Sequence, residues 1–166
     1  MNLYLLRHAP AVERGTAGFA DETTRPLTPA GRREMRKVAA GLRKMDLDFD
    51  LIYSSPLLRA KQTADIVAAA LKLGKKIKFT KALEPGGNQK NLVTELNRIR
   101  PAPKNLLLVG HEPDLSQLIS QLVTGQRADG FELKKAGLAK LKIKKLKFGQ
   151  CATLAWLLTP KLLKRI

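Results

Sequence analysis

The sequence predicts an α/β fold: a three-layer sandwich with a mostly parallel central sheet flanked by helices. Three observations carry that prediction. Short apolar runs rich in Leu, Ile and Val recur along the chain, and each ends in a turn or helix-start signal. Between them lie segments whose apolar residues repeat with helical period. Strand and helix therefore alternate, and each amphipathic helix needs a sheet face to cover its apolar side. At 166 residues the chain is long enough for one domain over residues 1–166 with a substantial core.

The first strand is Leu3-Tyr4-Leu5-Leu6, running into Arg7 and His8. A polar loop with Gly and Thr follows from Ala9 to Leu27. Thr28-Pro29 then reads as an N-cap with proline at the first helical position. That helix extends to about Lys44, with Met35, Val38, Ala39 and Leu42 on one face. Asp50 to Ser54 reads as a second strand, and Ser55-Pro56 repeats the cap-then-proline signal for a helix to about Leu73. Lys76 to Thr80 suggests a short third strand, and Glu84-Pro85-Gly86-Gly87 a loop. Asn88 to Arg100 has helical spacing through Leu92, Leu96 and Ile99. A fourth strand ends at His111, Pro113 opens a helix, and Gly125 closes it. Two last strands lie near Gly137 to Ile143 and Thr153 to Leu158.

Composition narrows the class. Hydrophobic content of 44% and charged content of 27% are those of an ordinary soluble globular protein. No apolar stretch approaches the roughly 18–20 residues needed to span a bilayer. Arg7 interrupts the first apolar run too early for a signal peptide, and Cys151 is the only cysteine. Both point to a cytoplasmic protein. The net charge of +17 favours anionic partners such as phosphorylated protein or nucleic acid. Seven lysines fall between Glu132 and Lys147, with Lys140, Lys142 and Lys144 alternating with Leu141 and Ile143. That is strand period, so the Lys134–Lys147 segment reads as a solvated face that protects an edge, or as a polyanion-binding surface. Eight aromatics in the whole chain make a base-stacking surface less apt.

The chain has two histidines, and both close apolar runs. His8 and His111 would stand at the carboxyl ends of strands, the edge where open α/β sheets bind ligands. Arg7 is beside the first, and Arg59 lies about one turn into the helix after the second strand. Singly, each arginine reads as a surface ion pair and each histidine as structural. Together the four can grip a phosphoryl group, with guanidiniums supplying paired charge-assisted hydrogen bonds. One imidazole can attack phosphorus while the other donates to its oxygens. Helix N-termini nearby would favour the anion.

The ordered blocks Leu6-Arg7-His8-Ala9, Arg25-Pro26-Leu27-Thr28-Pro29-Ala30-Gly31, Ser54-Ser55-Pro56-Leu57-Leu58-Arg59 and Val109-Gly110-His111-Glu112-Pro113 resemble the histidine phosphatase superfamily. The short chain and its closing Trp156-Leu157-Leu158-Thr159-Pro160 are similar to the compact SixA-type phosphohistidine phosphatase branch. The resemblance implies a phosphoglycerate mutase-like fold and a metal-independent, cofactor-independent phosphatase. It implies His8 as nucleophile and Arg7, His8, Arg59 and His111 as the phosphate-binding set. It implies a phosphohistidine protein or a small phosphorylated molecule as substrate. A neutral His8 is required, and a hydrogen bond from its other ring nitrogen to a backbone carbonyl would fix the tautomer. Ala9 replaces the family's usual glycine. Larger relatives carry an acid in the loop after the third strand, where Glu84 stands; Glu84 reads equally as a solvated loop residue.

Overall fold

The computed structural model describes residues 1–74 and 76–166. Its six strands are β1 (Asn2–Arg7), β2 (Leu51–Ser54), β3 (Ile77–Phe79), β4 (Asn105–Gly110), β5 (Leu138–Ile143) and β6 (Ala152–Leu158). They form one sheet in the order β3-β2-β4-β1-β5-β6. The pairs β3–β2, β2–β4 and β4–β1 are parallel, while β5 runs antiparallel to both of its neighbours. The fold is the mostly parallel α/β sandwich that the sequence predicts.

The helices are α1 (Pro29–Lys44), α2 (Leu58–Ala70), α3 (Gln89–Asn97), α4 (Asp114–Thr124) and the single turn α5 (Pro160–Leu163). Successive side chains of a strand face opposite sides, and that alternation divides the core in two. Tyr4 and Leu6 of β1, with Leu107 and Val109 of β4, pack beneath α1, α2 and α5 through Met35, Val38, Leu42, Val67 and Leu163. Leu3 and Leu5, with Leu106 and Leu108, pack beneath α3 and α4 through Leu92, Leu115, Ile119 and Leu122. Each fully buried leucine contributes about 1.5–3 kcal/mol.

Several local signals act as expected. Thr28 caps α1 by accepting from Gly31 N at 2.9 Å, and Gly125 ends α4 with φ of 82°. Two are corrected. Ser55-Pro56 does not cap α2, which begins at Leu58 behind an uncapped Leu57 and ends three residues before Leu73. The Ser55 hydroxyl accepts from Leu57 N at 3.3 Å, just ahead of the helix, and also contacts His111. Nor does the lysine-bearing strand β5 protect an edge, because β6 covers it. The short helix α5 escaped the sequence reading although Thr159-Pro160 repeats the signal of Thr28-Pro29. Also unforeseen is a turn of 3-10 helix, Glu22–Thr24, within the loop after His8.

That loop is held against α1 by close packing. A Cβ at Gly31 would lie 1.9 Å from the Pro10 carbonyl oxygen, so only glycine lets α1 approach the segment after His8. Gly31→Ala is expected to cost about 1–3 kcal/mol by overpacking. Thermal melting would register this as a fall in Tm of about 2–4 °C per kcal/mol. An unchanged Tm would mean that the contact relaxes without penalty.

Candidate active site

The site follows from strand register. Arg7 of β1 stands opposite Gly110 of β4 in a parallel pair, and His8 N donates to Gly110 O at 3.0 Å. The residues that come next, His8 and His111, therefore emerge side by side, with ring centroids 5.1 Å apart. The chain leaves β1 through α1 towards β2, and leaves β4 through α4 towards β5. These connections depart on opposite faces and in opposite directions, which makes the carboxyl ends of β1 and β4 a topological switch point. On the far side of β4, Ser55 N donates to Val109 O at 2.9 Å and brings the start of α2 to the same edge. Arg59, second residue of α2, is buried there.

His8 is set up as a neutral base. Its Nδ1 lies 2.8 Å from the Ala9 carbonyl oxygen, which can only accept, so Nδ1 carries the hydrogen and Nε2 holds the lone pair. Burial pushes the imidazolium pKa down to about 3; the Ala9 bond opposes this, and Arg59, Arg7 and Lys135 reinforce it. Ala9 is fully buried and its φ is not positive, so the methyl joins the core under α1 and α2 without strain. Ala9 N donates to Thr63 Oγ1 at 3.1 Å, and Thr63 Oγ1 donates to Arg59 O at 2.7 Å, tying the turn after His8 to α2.

His111 is equally buried, and burial with the charge of His8, Arg59, Arg25 and Arg7 lowers its pKa to about 2. Its Nε2 lies 2.9 Å from Ser55 Oγ. Its Nδ1 has no partner within the protein. Among the described residues, the buried side-chain nitrogens and oxygens without partners are Arg7 Nε, Arg59 Nε and His111 Nδ1. Native interiors leave few such groups, and each calls for an explanation. All three belong to residues lining one cavity of about 320 Å³.

The rest of that wall is mainly cationic. Arg14, Arg25 and Lys135 join Arg7 and Arg59, against the carboxylates of Glu13 and Glu112. Arg7 Nη1 donates to Leu133 O at 3.1 Å, and Arg59 Nη1 to Glu22 O at 2.8 Å, which leaves each guanidinium held on one side. Burial lowers both arginine pKa values from a starting point so high that the charge is kept. The Glu22 carboxylate pairs with Arg14 at 3.0 Å and Arg25 at 2.7 Å, clasping the loop at the mouth. Among the described residues, no group of three or more His, Cys, Asp or Glu is disposed to hold a metal ion.

Four of the five residues singled out in the sequence are thus brought together: Arg7, His8, Arg59 and His111. Glu84 is not; its neighbour Pro85 reaches the wall, while Glu84 follows the 3-10 turn Lys81–Leu83 outside it. The lysine run does not act as one face either. Lys135 reaches the cavity, Lys140 lies over the Tyr4 ring at 5.3 Å, and Lys142 and Lys144 line a separate hollow with Met1 and Lys104. Sequence reasoning missed Ser55 and Glu112. The sequence reads the first as a helix cap and assigns the second no role.

Known proteins share this fold. Residues 3–84 match the histidine phosphatase superfamily (branch 1). The chain is 41% identical over 143 residues to an uncharacterised protein of Picosynechococcus sp., covering 86% of this chain and 85% of that one. It is 27% identical over 127 residues to the phosphohistidine phosphatase SixA of Escherichia coli, covering 76% of each. The structure of the protein histidine phosphatase SixA complexed with tungstate superposes with a TM-score of 0.82 at 24% identity, over 98% of this chain and 99% of that one. The same fold also occurs, at lower TM-scores of 0.69 and 0.71, in an alpha-ribazole phosphatase of Shigella flexneri and a phosphoserine phosphatase of Entamoeba histolytica, with 20% and 17% identity and 96% of this chain covered in each case.

The burial of both histidines has a consequence for stability. Unfolding restores each to its ordinary pKa near 6.5, so below that pH the unfolded chain binds protons that the folded chain refuses. Stability therefore falls as pH drops from about 7 towards 5, by up to about 1.4 kcal/mol per pH unit for each histidine. The two are the only histidines in the chain. In His8→Asn/His111→Asn, urea unfolding across this range should show a much shallower pH dependence. An unaltered slope would place the acid sensitivity elsewhere.

Proposed function

Since this chain belongs to the histidine phosphatase superfamily, we propose that it hydrolyses phosphohistidine through a covalent phosphate on His8. Its phosphatase class is that of the superfamily; the substrate and the residue roles are our reading. The observation that carries it is the set of unpartnered buried donors on Arg7, Arg59 and His111 around an imidazole with a free Nε2 lone pair. A tetrahedral oxyanion satisfies all of them at once.

In the first step the Nε2 lone pair of His8 forms a bond to phosphorus. The bond from phosphorus to the leaving nitrogen or oxygen breaks, and its electron pair stays on the leaving group. Arg7 and Arg59 neutralise the charge on the equatorial oxygens, and they are already in place when it develops. His111 donates from Nδ1 to one of those oxygens. This tautomer requires the Ser55 hydroxyl to donate to His111 Nε2, which makes Ser55 a positioning residue. In the second step water attacks phosphorus, the N–P bond breaks, and the pair returns to His8. Because His8 is neutral well below pH 7, its own titration does not limit the reaction near neutrality.

The relatives named for phosphohistidine favour that substrate. A small phosphorylated molecule is the second reading, supported by the fold's occurrence in alpha-ribazole and phosphoserine phosphatases and by Arg14, Arg25 and Lys135 at the mouth. Turnover of a phosphohistidine-bearing protein against a panel of small phosphate esters separates the two. The first reading expects the protein to be preferred.

Rapid quenching of the wild type with substrate should yield a peptide carrying one phosphoryl group on His8. His8→Ala should yield none and have no turnover; full activity in that variant would overturn the mechanism. Arg59→Ala should fold and lose about 10²–10³-fold in kcat, the scale of one oxyanion-stabilising group.

A further inference from the structure

The two-step reaction moves a proton in each direction, and none of the four phosphate-gripping residues can carry it. Both arginines stay charged, His8 becomes phosphorylated, and His111 is engaged with Ser55 and the phosphoryl oxygens. Glu84 lies outside the cavity wall. Two carboxyl groups line that wall among the described residues, Glu13 and Glu112. Glu13 is exposed in the loop after His8. Glu112 is half-buried, directly follows His111, and is fixed against the first turn of α4.

The hydrogen bonds around Glu112 bear on its protonation. Its Oε1 accepts from Ser116 N at 3.2 Å, and its Oε2 pairs with Ser116 Oγ. The same Ser116 Oγ also lies 3.0 Å from the Pro113 carbonyl oxygen. The hydroxyl has one hydrogen and two oxygen neighbours, and the carbonyl can only accept. A protonated Glu112 completes the chain: its O–H donates to Ser116 Oγ, whose own hydrogen goes to Pro113 O. An ionised Glu112 takes the hydroxyl hydrogen itself and leaves the carbonyl without it. The site thus accommodates both states of the carboxyl. Charged groups acting on it are Arg7 at the end of β1, which favours ionisation, and Asp114 at the start of α4, which opposes it. Burial outweighs the Ser116 hydrogen bonds and Arg7, which favour the ionised form, and pushes the carboxyl above its ordinary range.

We propose that Glu112 is the proton donor to the leaving group and, in the second step, the base for water. This rests on the His8 mechanism above. As the bond between phosphorus and the leaving group breaks, the pair left on that atom takes the proton of Glu112, which becomes a carboxylate held by Ser116. As water adds to phosphorus and the N–P bond breaks, the carboxylate takes one water proton. Phosphate, neutral His8 and protonated Glu112 are restored.

The test is Glu112→Gln, whose amide keeps both contacts to Ser116, assayed on p-nitrophenyl phosphate and phenyl phosphate. A leaving group as acidic as p-nitrophenol departs unaided, whereas phenol needs the proton. The variant should lose about 10²–10⁴-fold in kcat/KM on phenyl phosphate. It should lose far less on p-nitrophenyl phosphate, and still phosphorylate His8 with it. The wild-type kcat/KM on phenyl phosphate should fall as pH rises through the Glu112 pKa, and that alkaline limb should vanish in the variant. Equal losses on the two esters, or a retained limb, would assign Glu112 a structural role and overturn the proposal. A wild type that forms no phosphohistidine would instead overturn the His8 mechanism and the acid with it.

Discussion

Everything at the site depends on the parallel register of β1 and β4. With Arg7 opposite Gly110, the next residue on each strand is a histidine, and both rings enter the same cavity. A slip of one residue would reverse the faces of one strand relative to the other. Both strands are covered on both sides, so neither has a polar face to report the correct register. Size and shape specify it instead. Leu3 and Leu5 must meet the helices α3 and α4, while Tyr4 and Leu6 must meet α1, α2 and α5. The geometry of the site is thereby secured by the most buried residues in the chain.

The electrostatics follow from that burial. The arginines start from so high a pKa that partial desolvation leaves them charged, whereas the histidines start near neutrality and lose their protons to it. One physical effect acting on two residue types yields fixed cations beside a neutral imidazole. That combination complements a phosphoryl group and would be spoiled by a protonated His8. It also carries a cost. Arg7, Arg59 and His111 each hold a buried nitrogen with no partner in the protein, and such a group costs about 1–3 kcal/mol unless solvent or a ligand meets it. The leucine core on either side of β1 and β4 is what sustains them.

Much of this was legible in the residues because strands and caps are local signals. The apolar runs before His8 and His111, and Thr28-Pro29 before α1, each mark their element within a few consecutive residues. Arg59 could be placed because a helix had to follow β2. Ser55 could be read only in part, since its hydroxyl serves Leu57 N beside it and also His111, which lies 56 positions away in sequence. Glu84 falls outside the cavity wall for a related reason. Its loop position was visible, but the 3-10 turn Lys81–Leu83 decides which residue faces the cavity, and it presents Pro85. The lysine run misled because strand alternation describes one strand's faces and says nothing about which strand covers its edge. Strand β6 supplied that answer.

The charge separates into two roles that act over different ranges. The cations at the cavity, from Arg7 to Lys135, are few beside the 31 basic residues of the chain, and those deepest in the wall are shielded from salt by burial. Those groups can act only at contact distance, on whatever enters the cavity. The remainder, such as Lys142 and Lys144 around their separate hollow, cannot touch a substrate bound at His8. Their effect is a long-range positive field that concentrates anions near the surface and weakens beyond a Debye length of about 8–10 Å. Excess charge outside the cavity therefore bears on how fast an anionic substrate arrives, while the four residues at the strand ends bear on what happens to it there. The net charge of +17 and the phosphatase site are consistent with one another without the first being part of the second.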